Sequence, residues 1–265
     1  MRAWIKGISV IAPGIEDWTA MQETLQGLCV WQNGPLTLSP PEVLSPRERR
    51  RTSPALRLAL NAAAAVCQDA DVAFDALPCV FASALGDGSV SDTIMTALTQ
   101  PEKPVSPTQF HNSVHNAAAG YWSIGAGNMR SSISIAAGDA SFGAGLISAM
   151  TRLSSTAPEV MFVASDMPMP DLLAKTRPIY APMAVGLVLS HTAPARACPA
   201  LEILGASTAP ESEIVDAALK PLANGSPAGR ALPMLTAIAS AASGSHDLVM
   251  AVGSNGFRMK VRVSL

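Results

Sequence analysis

Hydrophobic positions along the chain follow two rhythms: short, nearly unbroken apolar runs, and longer stretches with apolar residues three and four apart. The first marks buried strands and the second helices with one face inward. Residues 3–10 form a first strand that stops at Pro13-Gly14, and residues 17–28 follow with helical spacing. A Pro-rich loop at 35–46 and an arginine run lead into an Ala-rich helix over 53–69, where Ala and Leu favour the helix strongly. Residues 78–85 read as a strand, 86–89 as a turn, 91–98 as a short helix and 101–108 as a Pro-punctuated loop. A helix over 116–124 ends in the break at 125–130; next come a strand at 132–136, a sharp turn, and a helix to about residue 153. Strands at 160–165, 184–190 and 201–206, helices at 211–222 and 232–242, and strands at 247–252 and 257–264 complete the chain. Such alternation predicts an α/β protein with a parallel sheet under helix layers, because elements of this length bury both sheet faces.

At 265 residues, 49% of them hydrophobic, the chain is long enough for one large domain or two small ones with a sizeable core. Charged residues make up only 14% and aromatics 5%. So little charge predicts that much of the surface meets another protein, and poor solubility when the chain is expressed alone. A net charge of -2 provides no general pull toward nucleic acid, which is excluded as a partner. Cys29, Cys67, Cys79 and Cys198 form no Cys-x-x-Cys pair and lie in apolar surroundings, so they read as reduced, buried thiols with no metal. No signal core opens the chain and no long uncharged apolar run marks a membrane span, so a cytoplasmic location is expected.

The segment Ser132-Ile133-Ser134-Ile135-Ala136-Ala137-Gly138-Asp139-Ala140-Ser141 is the richest in chemical information. It reads as a buried strand turning sharply into a helix, with a carboxylate at the turn. From Asn116 to Ser141 the chain resembles, with no insertion, the active-site region of β-ketoacyl-acyl-carrier-protein synthases. Asn116, Ala119 and Gly120 fall on the family's Asn…Ala-Gly, Ile124 and Gly127 on its later Ile and Gly, and residues 132–136 on its Ser-Ile-Ser-Ile-Ala. Gly7 and Pro13 also match the family's opening strand, where Ser9 replaces a second glycine, and residues 159–164 are similar to its strand ending in Gly-Gly. The resemblance runs from residue 1 to about 190.

This resemblance implies a thiolase-like layered α/β/α fold with a strongly shortened second half. Residues 1–195 would be the ketosynthase N-terminal half and 196–265 a reduced C-terminal half packed on it as a single structural domain. Asp139 stands at the position of the reactive cysteine, and a carboxylate cannot form the thioester that condensation needs. The family's His-Gly-Thr-x-Thr and Asn-x-x-x-Gly-His motifs do not occur: the histidines are His111, His115, His191 and His246, none followed by Thr-x-Thr. Without paired imidazoles nothing stabilises a developing enolate. Gly253-Ser254-Asn255-Gly256-Phe257 is only faintly similar to the family's Gly-Phe-Gly-Gly loop, with Arg258 and Met259 in place of the last glycines. The chain is most similar to the chain-length-factor type, in the short stand-alone form of aryl polyene and type II polyketide systems. That implies no catalytic residue and no cofactor, a full-length β-ketoacyl synthase as partner in a heterodimer, and acyl carrier protein as a further partner.

Each candidate residue has a plain reading beside the functional one. Asp139 is either a helix N-cap or part of a sealed pseudo-site that holds the turn in shape. Phe110, His111, Ser113, His115 and Asn116 precede or open the helix in a region that, in this family, borders the dimer axis and the partner's acyl tunnel. Phe110, Tyr121 and Trp122, with Ile133, Ile135 and Phe142, are tunnel or interface residues on that reading, and ordinary core or interface packing on the other. His115 reads as a hydrogen-bonded interface histidine. Arg47, Arg49, Arg50 and Arg51 are a solvated helix entrance or a docking patch for the acidic carrier protein. Gly86-Asp87-Gly88-Ser89 lacks the Gly-Lys-Ser/Thr ending of a phosphate loop, and Ser141 lacks the frame of a hydrolase elbow. The alternative function is a homodimeric carrier-protein-binding scaffold; an enzyme using Asp139 for decarboxylation or hydrolysis is weakest, because its histidine partners are missing.

Overall fold

The computed structural model describes residues 1–240, 244–253 and 255–265. The strands are β1 (Arg2–Ile11), β2 (Cys79–Ala82), β3 (Ser132–Ile135), β4 (Glu159–Asp166), β5 (Met183–Ser190), β6 (Ala200–Ser207), β7 (Ser245–Ala251) and β8 (Arg258–Ser264). They form one sheet in the order β3-β2-β4-β5-β1-β6-β8-β7. The helices are α1 (Trp18–Leu25), α2 (Pro46–Arg49), α3 (Pro54–Asp69), α4 (Gly88–Leu98), α5 (Pro107–Asn112), α6 (Ala117–Ala126), α7 (Ser141–Arg152), α8 (Asp171–Ala174), α9 (Lys220–Gly225) and α10 (Leu232–Ala239).

The central strands β4 and β5 are apolar along their middles, Val160–Ala164 and Met183–Leu189, because both faces are covered. On β4, Val160, Phe162 and Ala164 join a core with Phe142 and Leu146 of α7 and Leu232 and Leu235 of α10. Met161 and Val163 face the other way, into a core with Leu58 and Leu60 of α3 and Tyr121 and Trp122 of α6. Glycine permits the close approach of α3 to the sheet at Gly7, where a Cβ would lie 2.8 Å from that of Ala70. The strands of the C-terminal part continue the same sheet, as β6 pairs with β1 and β8 and β7 follow outward.

The expectation of a parallel sheet is corrected. Among the described residues only β2–β3 and β2–β4 run parallel, and the other pairings are antiparallel. Parallel neighbours need a long crossover. Between β4 and β5 the chain has only the four-residue α8, and β7 meets β8 as a hairpin. The predicted helix over 211–222 is also corrected: residues 211–216 are not helical, and the Ser212 N–H donates to the Val249 carbonyl beside β7. Pro221 explains this, since it opens the short α9 where its missing N–H costs nothing and would break a helix that placed it in the last turn. The 101–108 loop gives way at Pro107 to α5. The turn expected at 86–89 is the start of α4, with Asp87 as N-cap accepting from the Val90 N–H at 3.0 Å. The helix expected to 28 ends at Leu25. The helix expected over 232–242 ends at Ala239, with Ser240 already extended; residues 241–242, and Ser254 of the Gly-Phe-like loop, lie outside the described residues.

Candidate functional site

Strand β3 delivers the chain to a 3-10 turn, Gly138–Ala140, from which α7 starts. Gly138 has φ +57, a conformation that favours glycine, and any side chain there would collide with the Arg177 guanidinium lying over it. The turn is held by Ser141, whose Oγ accepts from the Ala137 N–H at 2.9 Å and donates to the Gly138 carbonyl at 2.7 Å. Asp139 forms no such bond among the described residues and is exposed, which corrects the N-cap expectation: the 3-10 turn sets its side chain ahead of the helix start, where Ala140 is the N-cap and no side chain caps α7. In the single chain Asp139 is not sealed either. It lines a cleft of about 170 Å³ with Thr176, Arg177, Asn224, Ser226 and Arg230.

Among the described residues no histidine lines this cleft. His111 packs edge-on against Tyr121, with ring centroids 5.6 Å apart, and His246 Nε2 lies 3.2 Å from the Ser240 Oγ. His115 Nε2 lies 3.0 Å from the Ser83 carbonyl, so it donates there. Cys67 and Cys79 are buried and their thiols are pushed up to about 12 by desolvation, which keeps them protonated and inert. Cys29 is exposed and Cys198 half-buried, so the expectation of four buried thiols holds for two.

Below the site is a group that sequence reasoning missed. Asp166, at the end of β4, is 4% exposed; its Oδ1 accepts from the Ala84 N–H at 2.7 Å and the Ser83 hydroxyl at 3.2 Å, and its Oδ2 from the Ala228 N–H at 3.1 Å. Burial pushes this carboxyl up to about 6, against those hydrogen bonds and the nearby His115, which pull it down. It ties the β2–α4 loop to the 3-10 turn Pro227–Ala231, the wall of the Asp139 cleft. A carboxylate at the end of a strand whose middle, Val160–Ala164, is apolar was the available signal, since a buried charge needs partners. Arg177, Arg230 and Ser226 were also missed. They lie far from Asp139 in sequence, and only the tertiary fold unites them.

The other predicted residues divide. Tyr121 and Trp122 are 2% and 1% exposed and belong to the core: Tyr121 donates to Asn112 Oδ1 at 3.0 Å, and Asn112 Nδ2 donates to the Arg51 carbonyl. Phe142 is fully buried against Phe162. Phe110, by contrast, is 67% exposed. Ser113 donates to the Phe110 carbonyl, and Asn116 is exposed at the start of α6 without a side-chain cap bond. Arg49 is structural, donating to the Leu44 and Glu42 carbonyls, and Arg51 pairs with Glu48, whereas Arg47 and Arg50 are exposed.

β3 forms an open edge of the sheet. Its four residues carry no charge, Ile133 and Ile135 are half-buried, and α6 packs beside it with Ile124 exposed. Phe110, Val114, Leu85 and Met129 on the neighbouring loops and helices are exposed too. At the other edge the outer hairpin carries a charge ladder, with Arg262 and Lys260 both bonded to Asp247, whose carboxyl they hold well below the usual carboxylate range. Unprotected edges pair with other chains, and charges prevent this.

No helix is long and apolar enough to cross a membrane, and no cluster of His, Cys, Asp and Glu suits a metal ion, among the described residues. No curated protein matches the chain. Among solved structures, a chain of the ketosynthase (ApeO) in complex with its chain length factor (ApeC) from Xenorhabdus doucetiae is similar at TM-score 0.72 and 23% identity, over 98% of this chain and 99% of that one. A chain of the ishigamide ketosynthase/chain length factor is similar at TM-score 0.71 and 14% identity, over 100% and 99%. A chain of the AntDE:AntF complex, a type II polyketide synthase acyl carrier protein with its ketosynthase, reaches TM-score 0.58 and 16% identity over 71% and 62%. The layered sheet is therefore the thiolase-like ketosynthase fold. Residues 18–247 match the β-ketoacyl synthase N-terminal domain, and the chain belongs to that family.

Proposed function

We propose that this chain is a non-catalytic chain length factor that pairs with an active β-ketoacyl synthase and helps set the length of the acyl or polyene product. The observation that carries the proposal is the Asp139 turn: a carboxylate stands where the sequence resemblance puts the family's nucleophile, and among the described residues the cleft around it contains neither thiol nor imidazole. A Claisen condensation needs both a thiolate to carry the acyl group and donors for the enolate. The chain therefore contributes surface rather than chemistry. Similarity to chains of ketosynthase complexes supports a partner role.

The uncharged β3 edge with its exposed apolar fringe is the surface assigned to pairing, and Phe110 is the exposed bulky residue assigned to the partner's tunnel floor. Each methylene excluded from a tunnel is worth about 0.8 kcal/mol, enough to bias chain length. Arg47 and Arg50 remain as the exposed cations of the arginine run that can meet an acidic carrier protein. The test is co-expression with a full-length ketosynthase and native mass spectrometry, using the wild type and Ile133→Lys. The proposal expects a mixed dimer that the lysine abolishes while the circular dichroism stays unchanged. A homodimer alone would support the scaffold reading, and a mixed dimer indifferent to the lysine would remove β3 from the interface.

A further inference from the structure

The cleft beside Asp139 contains two guanidiniums without a partner among the described residues. Arg177 lies over Gly138 and Arg230 projects from the end of the Pro227–Ala231 turn, and among the described residues neither side chain pairs with a carboxylate or donates a hydrogen bond. A third, independent feature accompanies them. Ser226 is 2% exposed, lines the same cleft, and its hydroxyl has no hydrogen-bond partner among the described residues. An unpartnered buried hydroxyl is costly unless a ligand or water meets it, so such groups call for an explanation. Thr176 and Asn224 add polar side chains at the wall, and Asp139 provides the single negative charge among the described lining residues, leaving the cleft one unit positive.

We infer that this cleft binds a small oxyanion of the phosphate type, with Arg177 and Arg230 supplying charge and Ser226 and Asn224 orienting its oxygens. Guanidiniums present planar forks of N–H donors that match such oxygens, and hydroxyl and amide donors serve the remaining lone pairs. A cleft of about 170 Å³ admits one such group with its bound water, and its open mouth leaves room for a chain attached to that group. A phosphate here can be free in solution or be the phosphodiester end of a phosphopantetheine arm. The chemistry at the arginines is the same for both. Pairing with a ketosynthase is not required, since every residue involved comes from this chain.

The experiment is calorimetric titration of the purified full chain at low ionic strength with inorganic phosphate, pantetheine 4′-phosphate and pantetheine. Saturable binding of phosphate is expected. Arg177→Gln and Arg230→Gln should each weaken it roughly tenfold, the worth of one charge-assisted hydrogen bond. Asp139→Asn should move affinity the other way, strengthening it a few-fold by removing a like charge, a change that general damage to the fold would not produce. Arg177 is exposed, so its variant keeps the fold, and circular dichroism checks each protein. Tighter binding of pantetheine 4′-phosphate than phosphate, with pantetheine silent, would support the site as a receptor for the prosthetic arm; equal affinities would support it as a receptor for the free anion. No saturable binding of either phosphate, or binding indifferent to both arginine substitutions, would overturn the inference.

Discussion

Replacing Asp166 by asparagine should change how stability depends on pH more than it changes stability itself. Burial holds the carboxyl at about 6, up from 3.8. Between those values the folded protein keeps a proton that the unfolded chain has released, so stability falls as pH rises through the window; the neutral form's benefit is complete only below about pH 4. At about 1.4 kcal/mol per unit, the wild type should lose roughly 2–3 kcal/mol between about pH 4 and about pH 8 from this group. In the Asp166→Asn variant the amide would keep an oxygen for Ala84 and Ser83 but turn an NH₂ toward the Ala228 N–H, leaving that donor unpaired at about 1–3 kcal/mol at every pH. Urea denaturation of both proteins across this range should show Asp166→Asn less stable at the acid end, with the gap closing or reversing at the alkaline end. Asp247 acts in the opposite direction, its ion-pair stabilisation being lost as pH falls, but it is common to both proteins and cancels in the difference. A gap that stays constant, or widens with rising pH, would show that burial does not raise this carboxyl.

Phe110→Ala in the assembled pair should lengthen the products without loosening the complex; an unchanged product distribution from an intact complex would count against the tunnel floor. Tyr121→Phe removes the hydroxyl that holds Asn112 and through it Arg51, and thermal denaturation should register a loss of about 1 kcal/mol. Asp139→Cys should form no thioester with acyl carrier protein, because no histidine is found among the described residues of the cleft; an acyl adduct by intact mass would mean that the rest of a working site survives.

How much of this was legible in the sequence depends on how local each cause is. Strand β4 and helix α3 were plain because their apolar spacing is fixed by their own residues, and the Asp139 turn because a contiguous pattern spans it. Antiparallel pairing was not, since strand direction follows from which strands meet, and β1 enters the sheet between β5 and β6 from the far end of the chain. Pro107 and Pro221 were each readable as the first turn of a helix, but the loop around one and the apolar spacing before the other outweighed them. Arg49 was indistinguishable from its neighbours until the fold put two carbonyls within its reach. The Asp139 cleft was invisible for the same reason, being assembled from separate segments.

If this chain contributes surface alone, condensation needs a second chain to supply the chemistry. Purified protein should be assayed with malonyl- and acyl-loaded carrier protein in three forms: alone, with a full-length ketosynthase, and with that ketosynthase carrying its nucleophilic cysteine as alanine. Condensed product should appear only with the intact ketosynthase. Product from this chain alone, or with the disabled partner, would mean that the Asp139 site is catalytic after all.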